Sequence, residues 1–390
     1  MADFNENMPL TIALSGRIDS LNAEKTETEI RQILNGSAPE TLIIDAKDLV
    51  YLSSAGLRII LRLKKSCSGL KIIHVNPEVY DILEMTGFTE MLQVEKAYRV
   101  ISVENCEVIG EGFNGIVYKI DRETIVKVYK NDDPLSAIQH EREVARLALI
   151  LGVPTAISYD VVQVGSSYGS VFELLNARSF SRILAEEPEK MDWCVREYTE
   201  LLRTIHGIQV PEGKLPSMKE ENRKNILRVK SYLPAELGEK LVRMAEQIPE
   251  SDHMIHGDYH TKNVVLAGQE VLIIDMDTLS VGHPIFELAQ MYNSFVGFSE
   301  FNPEVIRSFQ GIEPELARKF WKRSLAAYLQ TEDPERIQCV EEKVRCLAYA
   351  ELIDWTYRHP PVDPEEKEKS IALWMRELTG LLEKLDSLTF

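Results

Sequence analysis

Residues 254–278, MIHGDYHTKNVVLAGQEVLIIDMDT, constrain this chain more than any other segment. Asp258 follows His256 by two and precedes Asn263 by five. Two short apolar runs, VVL and VLIID, read as strands, and Asp275 closes the second. One loop thus supplies a carboxylate and then an amide, and the hairpin behind it ends on a second carboxylate. Asn263 and Asp275 are hard oxygen donors of the kind Mg²⁺ prefers. Asp258 is placed to accept or orient a hydroxyl proton. His253, His256 and His260 could be read as a metal cluster, but no helical His/Glu spacing supports zinc. His256 reads instead as a brace for the loop. Asp258 and Asp275 could each be a turn former alone. Asp277 reads as a surface residue rather than a second ligand.

Upstream, EVIGEGFNGIVYKI places Gly110, Gly112 and Gly115 in the order GxGxxG. That triplet is shared with dinucleotide-binding loops, which run from a strand into a helix. Here the chain continues into VYKI and then TIVKVYK, Thr124–Lys130, and both segments alternate like strands. A glycine-rich β-hairpin lets backbone N–H groups approach phosphates without side-chain obstruction. Lys127, twelve residues after Gly115, is placed to reach the α- and β-phosphates; its bland reading is a solvated strand lysine. In the following helix, IQHEREVARLALILGVPT, the run EVARLALIL turns apolar at once, which favours Glu143 as the carboxylate that steadies Lys127. Glu141 is the fallback. Hairpin, lysine, loop and closing aspartate together predict in-line transfer of the γ-phosphoryl group of ATP with Mg²⁺.

The first hundred residues follow another pattern. Leu10–Gly16, Thr41–Ala46 and Lys71–Val75 read as strands. Ala23–Leu34, Ala55–Lys65 and Val79–Met85 read as amphipathic helices, with Pro77 suited to a first helical turn. Alternating strands and helices predict a small α/β layer domain. Ser53 and Ser54 follow a strand and open a helix. A serine there caps the helix, or a phosphoserine there is favoured by the helix dipole and changes a docking surface by nearly two charges.

The chain has 390 residues, enough for two or three domains. A formal charge of −18 argues against a broad nucleic-acid or anionic-lipid surface. No apolar run reaches the roughly 18 residues of a membrane span. The start, MADFNENMPL, lacks the basic and apolar regions of a signal peptide. Five scattered cysteines without a CxxC pair read as reduced thiols, so a cytoplasmic location is expected.

GRIDSLNA, LIIDAKDLVYLSSAGLR and NPEVYDILEMTGFTEML together resemble a STAS domain, the fold of anti-sigma-factor antagonists, over about Leu10 to Val94. The resemblance places a regulatory phosphorylation site at Ser54 and implies a protein partner at that face. HGDYHTKN and IIDMDT resemble the HGDxHxxN and IDW/IDF segments of the aminoglycoside phosphotransferase and choline kinase group. GHPIFELA resembles that group's GDPxxDLA, with His283 and Glu287 in place of aspartates. This second likeness runs from about Val103 onward and implies a bilobal protein-kinase-like fold. It places Glu173 and Leu174, after Phe172 in SVFELLNARSF, at backbone contacts to adenine, and the acceptor pocket among the helices after Ser181. The fold expectation is therefore an α/β STAS domain plus an α+β kinase-like domain. The expected divisions are 1–97, 98–175 and 176–390. The implied acceptor is a small hydroxylated molecule, with a cationic amino sugar or choline-like compound suited by acidic residues. Two other readings stand beside it: a nucleotide-sensing regulator acting through STAS-mediated protein binding in a partner-switching pathway, and a kinase that modifies its own Ser54.

Overall fold

The computed structural model describes residues 9–36, 39–67, 69–112, 114–359, 361 and 363–390. The first eight residues, part of the stretch judged against a signal peptide, and Phe113 of the glycine pattern lie outside the described residues. The chain divides into two compact units: one runs to Asn105 and takes in Val161–Gly169; the other comprises Cys106–Asp160 and Ser170–Phe390.

The first unit carries β1 (Leu10–Ile18), α1 (Ala23–Leu34), β2 (Thr41–Leu52), α2 (Ser54–Ser66), β3 (Gly69–Val75), α3 (Pro77–Met85), α4 (Phe88–Met91) and β4 (Gln93–Lys96). Its four strands lie in the order β1-β2-β3-β4, all parallel. Ile12, Leu14, Leu42, Ile44, Ile59, Ile60, Ile72 and Leu83 are buried between sheet and helices. Both β1 and β2 run past the apolar stretches that mark them in the sequence. Register shifts after Ala13 and Gly16 let Ser15–Ile18 pair with Asp48–Leu52, so Lys47 and Asp48 do not end the strand. Ser53 caps α2, its hydroxyl accepting from Ala55 N at 3.2 Å, and Ser54 stands exposed in the first helical turn. A Cβ on Gly56 would meet Leu52 Cδ1 at 2.5 Å, so a larger residue there would force the Leu52 side chain to move.

The chain continues with β5 (Arg99–Ile101), β6 (Glu107–Glu111), β7 (Gly115–Lys119), β8 (Thr124–Tyr129), α5 (Pro134–Ile150), β9 (Asp160–Val164), β10 (Ser167–Glu173) and β11 (Ala177–Ser179). Then come α6 (Phe180–Glu186), α7 (Met191–His206), α8 (Met218–Lys230), α9 (Ala235–Glu246), β12 (Met254–Ile255), β13 (Val264–Ala267), β14 (Glu270–Ile273) and β15 (Ser280–Val281). The remainder is α10 (Pro284–Tyr292), a π-helical turn (Asn293–Gly297), α11 (Phe298–Phe301), α12 (Glu304–Gln310), α13 (Pro314–Leu329), α14 (Pro334–Arg358) and α15 (Pro364–Lys384).

In the second unit β6, β7 and β8 pair antiparallel, and Val117 faces Lys127. β13 and β14 form the hairpin read in the sequence, with β11 on its outer side. One large core holds the helices together, with Tyr198, Phe286, Phe295, Phe320 and Trp321 buried in it. Val144, Ala145 and Ala148 bring α5 into the same core.

Glu351 of α14 lies inside this helical packing. Burial pushes its carboxyl up to about 8; the Asn222 hydrogen bond opposes that rise, and the charges of Glu287 and Asp354 add to it. Between pH 4.5 and 8 the folded chain therefore binds more protons than the unfolded chain, and stability falls as pH rises through that window. Glu351→Gln is expected to melt with the wild type at pH 5. At pH 8 it should be the more stable, by about 2 kcal/mol. Thermal midpoints that track each other across the range would contradict this.

Candidate active site

The segment that opened the sequence analysis folds around buried backbone. Gly257 has φ +83°, and a Cβ there would strike the carbonyl oxygen of Thr278 at 2.5 Å. Glycine is thus required by the close approach of two loops. Glu287, fully buried in α10, accepts from the backbone N–H groups of His256 (2.5 Å) and Gly257 (3.0 Å). This settles the effect of the longer side chain where the resembling family has aspartate: the carboxylate reaches the loop and supports it. His283 caps α10, its Nδ1 accepting from Ile285 N at 3.2 Å. His256 is buried, its Nδ1 accepts from Asp258 N at 3.2 Å, and its carbonyl accepts from Thr278 Oγ1 at 2.8 Å. His253 contacts Ser251 and Asp252, whereas His260 packs edge-on against Phe309. Among the described residues no three His, Cys, Asp or Glu side chains form a metal cage.

Asp258 points a half-exposed carboxylate out of this frame. Asn263 Nδ2 donates to its backbone oxygen at 3.0 Å and to Oδ2 at 3.2 Å. His260 Nε2 lies 3.4 Å from Oδ2. Burial alone would raise this carboxyl, but the hydrogen bond and charge of His260, the nearby His256 and Asn263 outweigh it. The net effect holds Asp258 below its usual range, so it is an ionised acceptor at neutral pH. The backbone oxygen of Asn263 accepts from Ile274 N at 2.9 Å, tying the loop to the residue before Asp275.

Asp275 adopts a left-handed conformation, φ 67° and ψ 67°. Strain of this kind persists where the surroundings impose it and clusters at functional sites. Its Oδ1 accepts from Lys127 Nζ at 2.6 Å. Lys127 also donates to both oxygens of Glu141, at 3.1 and 2.9 Å. Burial would lower the ammonium, yet the charges of Glu141 and Asp275 keep it well above its ordinary range. The lysine is therefore a fixed cation between two carboxylates.

Three expectations need correction. Glu141, not Glu143, steadies Lys127. On α5 the buried positions Ile138, Glu141, Val144, Ala145 and Ala148 share one face, while Glu143 is exposed and accepts from Gln139 at 3.1 Å. Helical phase decides this, since 141 and 143 lie about 200° apart around the axis. The onset of the apolar run misled; the i, i+3, i+7 spacing through Ile138, Glu141 and Ala145 was the signal available. Second, Asp277 is not a surface residue. It is half-buried, accepts from Asn114 Nδ2 at 2.7 Å, and burial with the charge of Asp275 raises its carboxyl to about 6. Nothing in the sequence pattern marked Asn114. Third, Leu174 donates its backbone N–H to Glu123 O at 2.7 Å, so the donor half of the expected backbone contact is committed within the sheet and the carbonyls are what remain of it. Glu173 closes β10 and is exposed.

The three glycines are not equivalent. A Cβ on Gly115 would meet Val128 O at 2.5 Å, which is backbone and cannot yield. Gly112 has open space on that side, and Gly110 faces Val117 at an ordinary 3.6 Å. Gly115→Ala is expected to cost about 2 kcal/mol of stability by overpacking. Gly112→Ala should melt like the wild type and lose nucleotide affinity. Equal melting shifts in the two variants would refute the distinction.

A glycine-rich hairpin, a paired lysine, an ionised loop aspartate and a strained terminal aspartate are gathered on a kinase-like fold, an arrangement suited to a phosphotransferase. Comparison with known proteins agrees. The phosphotransferase enzyme family matches residues 105–320, more than half of the chain, and the STAS domain matches residues 1–100. The chain belongs to the phosphotransferase enzyme family and carries a STAS domain ahead of that region. Over 90 residues it is 32% identical to the "Putative anti-sigma factor antagonist BtrV" of Bordetella bronchiseptica, covering 22% of this chain and 76% of that protein. Among solved structures, ADP-bound aminoglycoside phosphotransferase APH(2'')-Ib is similar at 15% identity, TM-score 0.49, over 77% of this chain and 98% of that one. A choline/ethanolamine kinase family protein from Mesorhizobium loti is similar at 17% identity, TM-score 0.46, over 72% and 88%. Among the described residues no helix is long and apolar enough to cross a membrane.

Proposed function

We propose that this chain is an ATP-dependent small-molecule kinase that transfers the γ-phosphoryl group to a hydroxyl, with its STAS domain in a regulatory role. The observation that carries this reading is Lys127 of β8 held between Glu141 of α5 and Asp275, whose neighbour Ile274 is hydrogen-bonded to Asn263 of the Asp258–Asn263 loop. Lys127 would hold the α- and β-phosphates, and the hairpin of Gly110, Gly112 and Gly115 would cover them. Asp258, ionised and braced, would accept the hydrogen bond of the attacking hydroxyl and aim it. Asn263 and Asp275 fit Mg²⁺: with Nδ2 committed to Asp258, the atom Asn263 has left for a cation is Oδ1, and Asp275 adds a carboxylate. An ion held by these two residues would supply positive charge to offset that of the transferring phosphate.

The acceptor we infer is a small hydroxylated molecule, cationic groups included, and the location cytoplasmic. The divisions we favour are 1–97, 98–175 and 176–390. Ser54, exposed in the first turn of α2, is the position we assign to phosphorylation and partner docking. A second reading, a nucleotide sensor that signals through that face, rests on the same residue.

ATP consumption by the full chain with Mg²⁺ and pooled hydroxylated metabolites, set against Asp258→Ala, tests the proposal. Turnover that needs a pool and vanishes in the variant supports a metabolite kinase. Mg·ATP binding without turnover in any pool shifts the assignment to the sensor.

A further inference from the structure

We propose that Asn114 and Asp277 form a clasp that pins the tip of the glycine-rich turn to the catalytic turn, positioning the turn's N–H groups over the phosphates. The clasp's role over phosphate rests on the kinase reading above. Asn114 Nδ2 donates to Asp277 Oδ2 at 2.7 Å across 163 residues of chain, a length typical of charge-assisted bonds. Gly112 and Asn114 are exposed, and a Cβ on Gly112 would touch nothing within 4 Å. Among the described residues, Gly112 N donates to Gly115 O at 3.0 Å, Lys130 N to Asn114 O at 3.1 Å, and Lys130 Nζ to Glu111 Oε1 at 2.7 Å. Those bonds set the form of the hairpin but not its height above the catalytic residues.

Asp277 is a firm anchor. Its neighbour Met276 is buried, and its own backbone oxygen lies 3.1 Å from His140 Nε2 on α5. Lys127–Asp275 is the inner rung between hairpin sheet and catalytic turn, and Asn114–Asp277 is the outer one. Two rungs fix both position and tilt, where one would leave a hinge. Asn114 and Asp277 are thus positioning residues: they act through the turn's backbone.

Hydrogen exchange of the amides in residues 108–117 tests the clasp in the nucleotide-free full chain, and Mg·ADP affinity tests its consequence. Asn114→Ala and Asp277→Ala should each speed exchange about fivefold or more and weaken Mg·ADP binding by a similar factor. The double variant should go no further than either single one, as expected for two halves of one contact. Asp277→Asn keeps an acceptor oxygen and should hold exchange near the wild-type rate. Additive effects, or exchange unchanged in both alanine variants, overturn the clasp. So does an Asp277→Asn variant with slow exchange but Mg·ADP binding as weak as that of Asp277→Ala, because the residue would then act on the metal. If the wild type fails to bind Mg·ADP, the kinase reading falls and the phosphate role with it, while the exchange rates still decide whether the turn is pinned.

Discussion

Asp275→Asn is expected to purify folded and to lose at least about a thousandfold in kcat/KM, roughly 4 kcal/mol of transition-state stabilisation. The backbone argument predicts the folding. Asp275 sits in the left-handed region, which asparagine tolerates as well as aspartate. The amide oxygen can still accept from Lys127, so the 2.6 Å contact keeps its shape while losing its charge. The chemistry depends on that charge. An amide oxygen in place of the site's one carboxylate ligand would leave the ion no protein counter-charge, and most of phosphoryl-transfer catalysis is positioning and charge neutralisation. Steady-state turnover with the acceptor that supports wild-type activity, read beside a melting curve, decides the matter. Activity within tenfold of the wild type would remove Asp275 from the metal role.

The second large effect separates two glutamates that are neighbours in sequence. Glu141→Gln should lower kcat/KM about a hundredfold, and Glu143→Gln should change it less than twofold. Lys127 is buried to 14% side-chain exposure and Glu141 to 9%, so their pair is only weakly screened by water. Glutamine keeps the shape and an oxygen for Lys127. It removes one of the lysine's two counter-charges and frees the ammonium to swing fully onto Asp275. Tyr129, whose hydroxyl also donates to Glu141 at 2.5 Å, loses a charged partner at the same time. Breaking a buried pair can destabilise by about 3–5 kcal/mol, so melting curves must accompany the kinetics. A folded Glu141→Gln with normal turnover, or a Glu143→Gln that is equally impaired, would return the pairing to the wrong face of the helix.

Local sequence carried the elements that local physics specifies. Ala23–Leu34 is a helix with the bounds its periodicity implied, and Pro77 occupies the first turn of α3. The β13–β14 hairpin follows from two short apolar runs around a glycine turn. Asp258, Asn263 and Asp275 could be picked out as candidates because a loop and a hairpin place all three within eighteen residues. The two family likenesses were visible for the same reason, since their motifs are contiguous.

What sequence left open are contacts between segments far apart in the chain. Whether Lys127 meets Glu141 or Glu143 turns on which face of α5 packs into the core, and its placement against β8 and the Met276–Thr278 turn decides that. The burial of Asp277 depends on Asn114, 163 residues away, and on α5 above it. Whether Leu174 has a free N–H depends on Glu123 across the sheet. Residue type and spacing thus determined which chemistry this protein carries. Only tertiary packing decided which side chains deliver it, because hydrogen bonds and ion pairs are formed by distance in space and not along the chain.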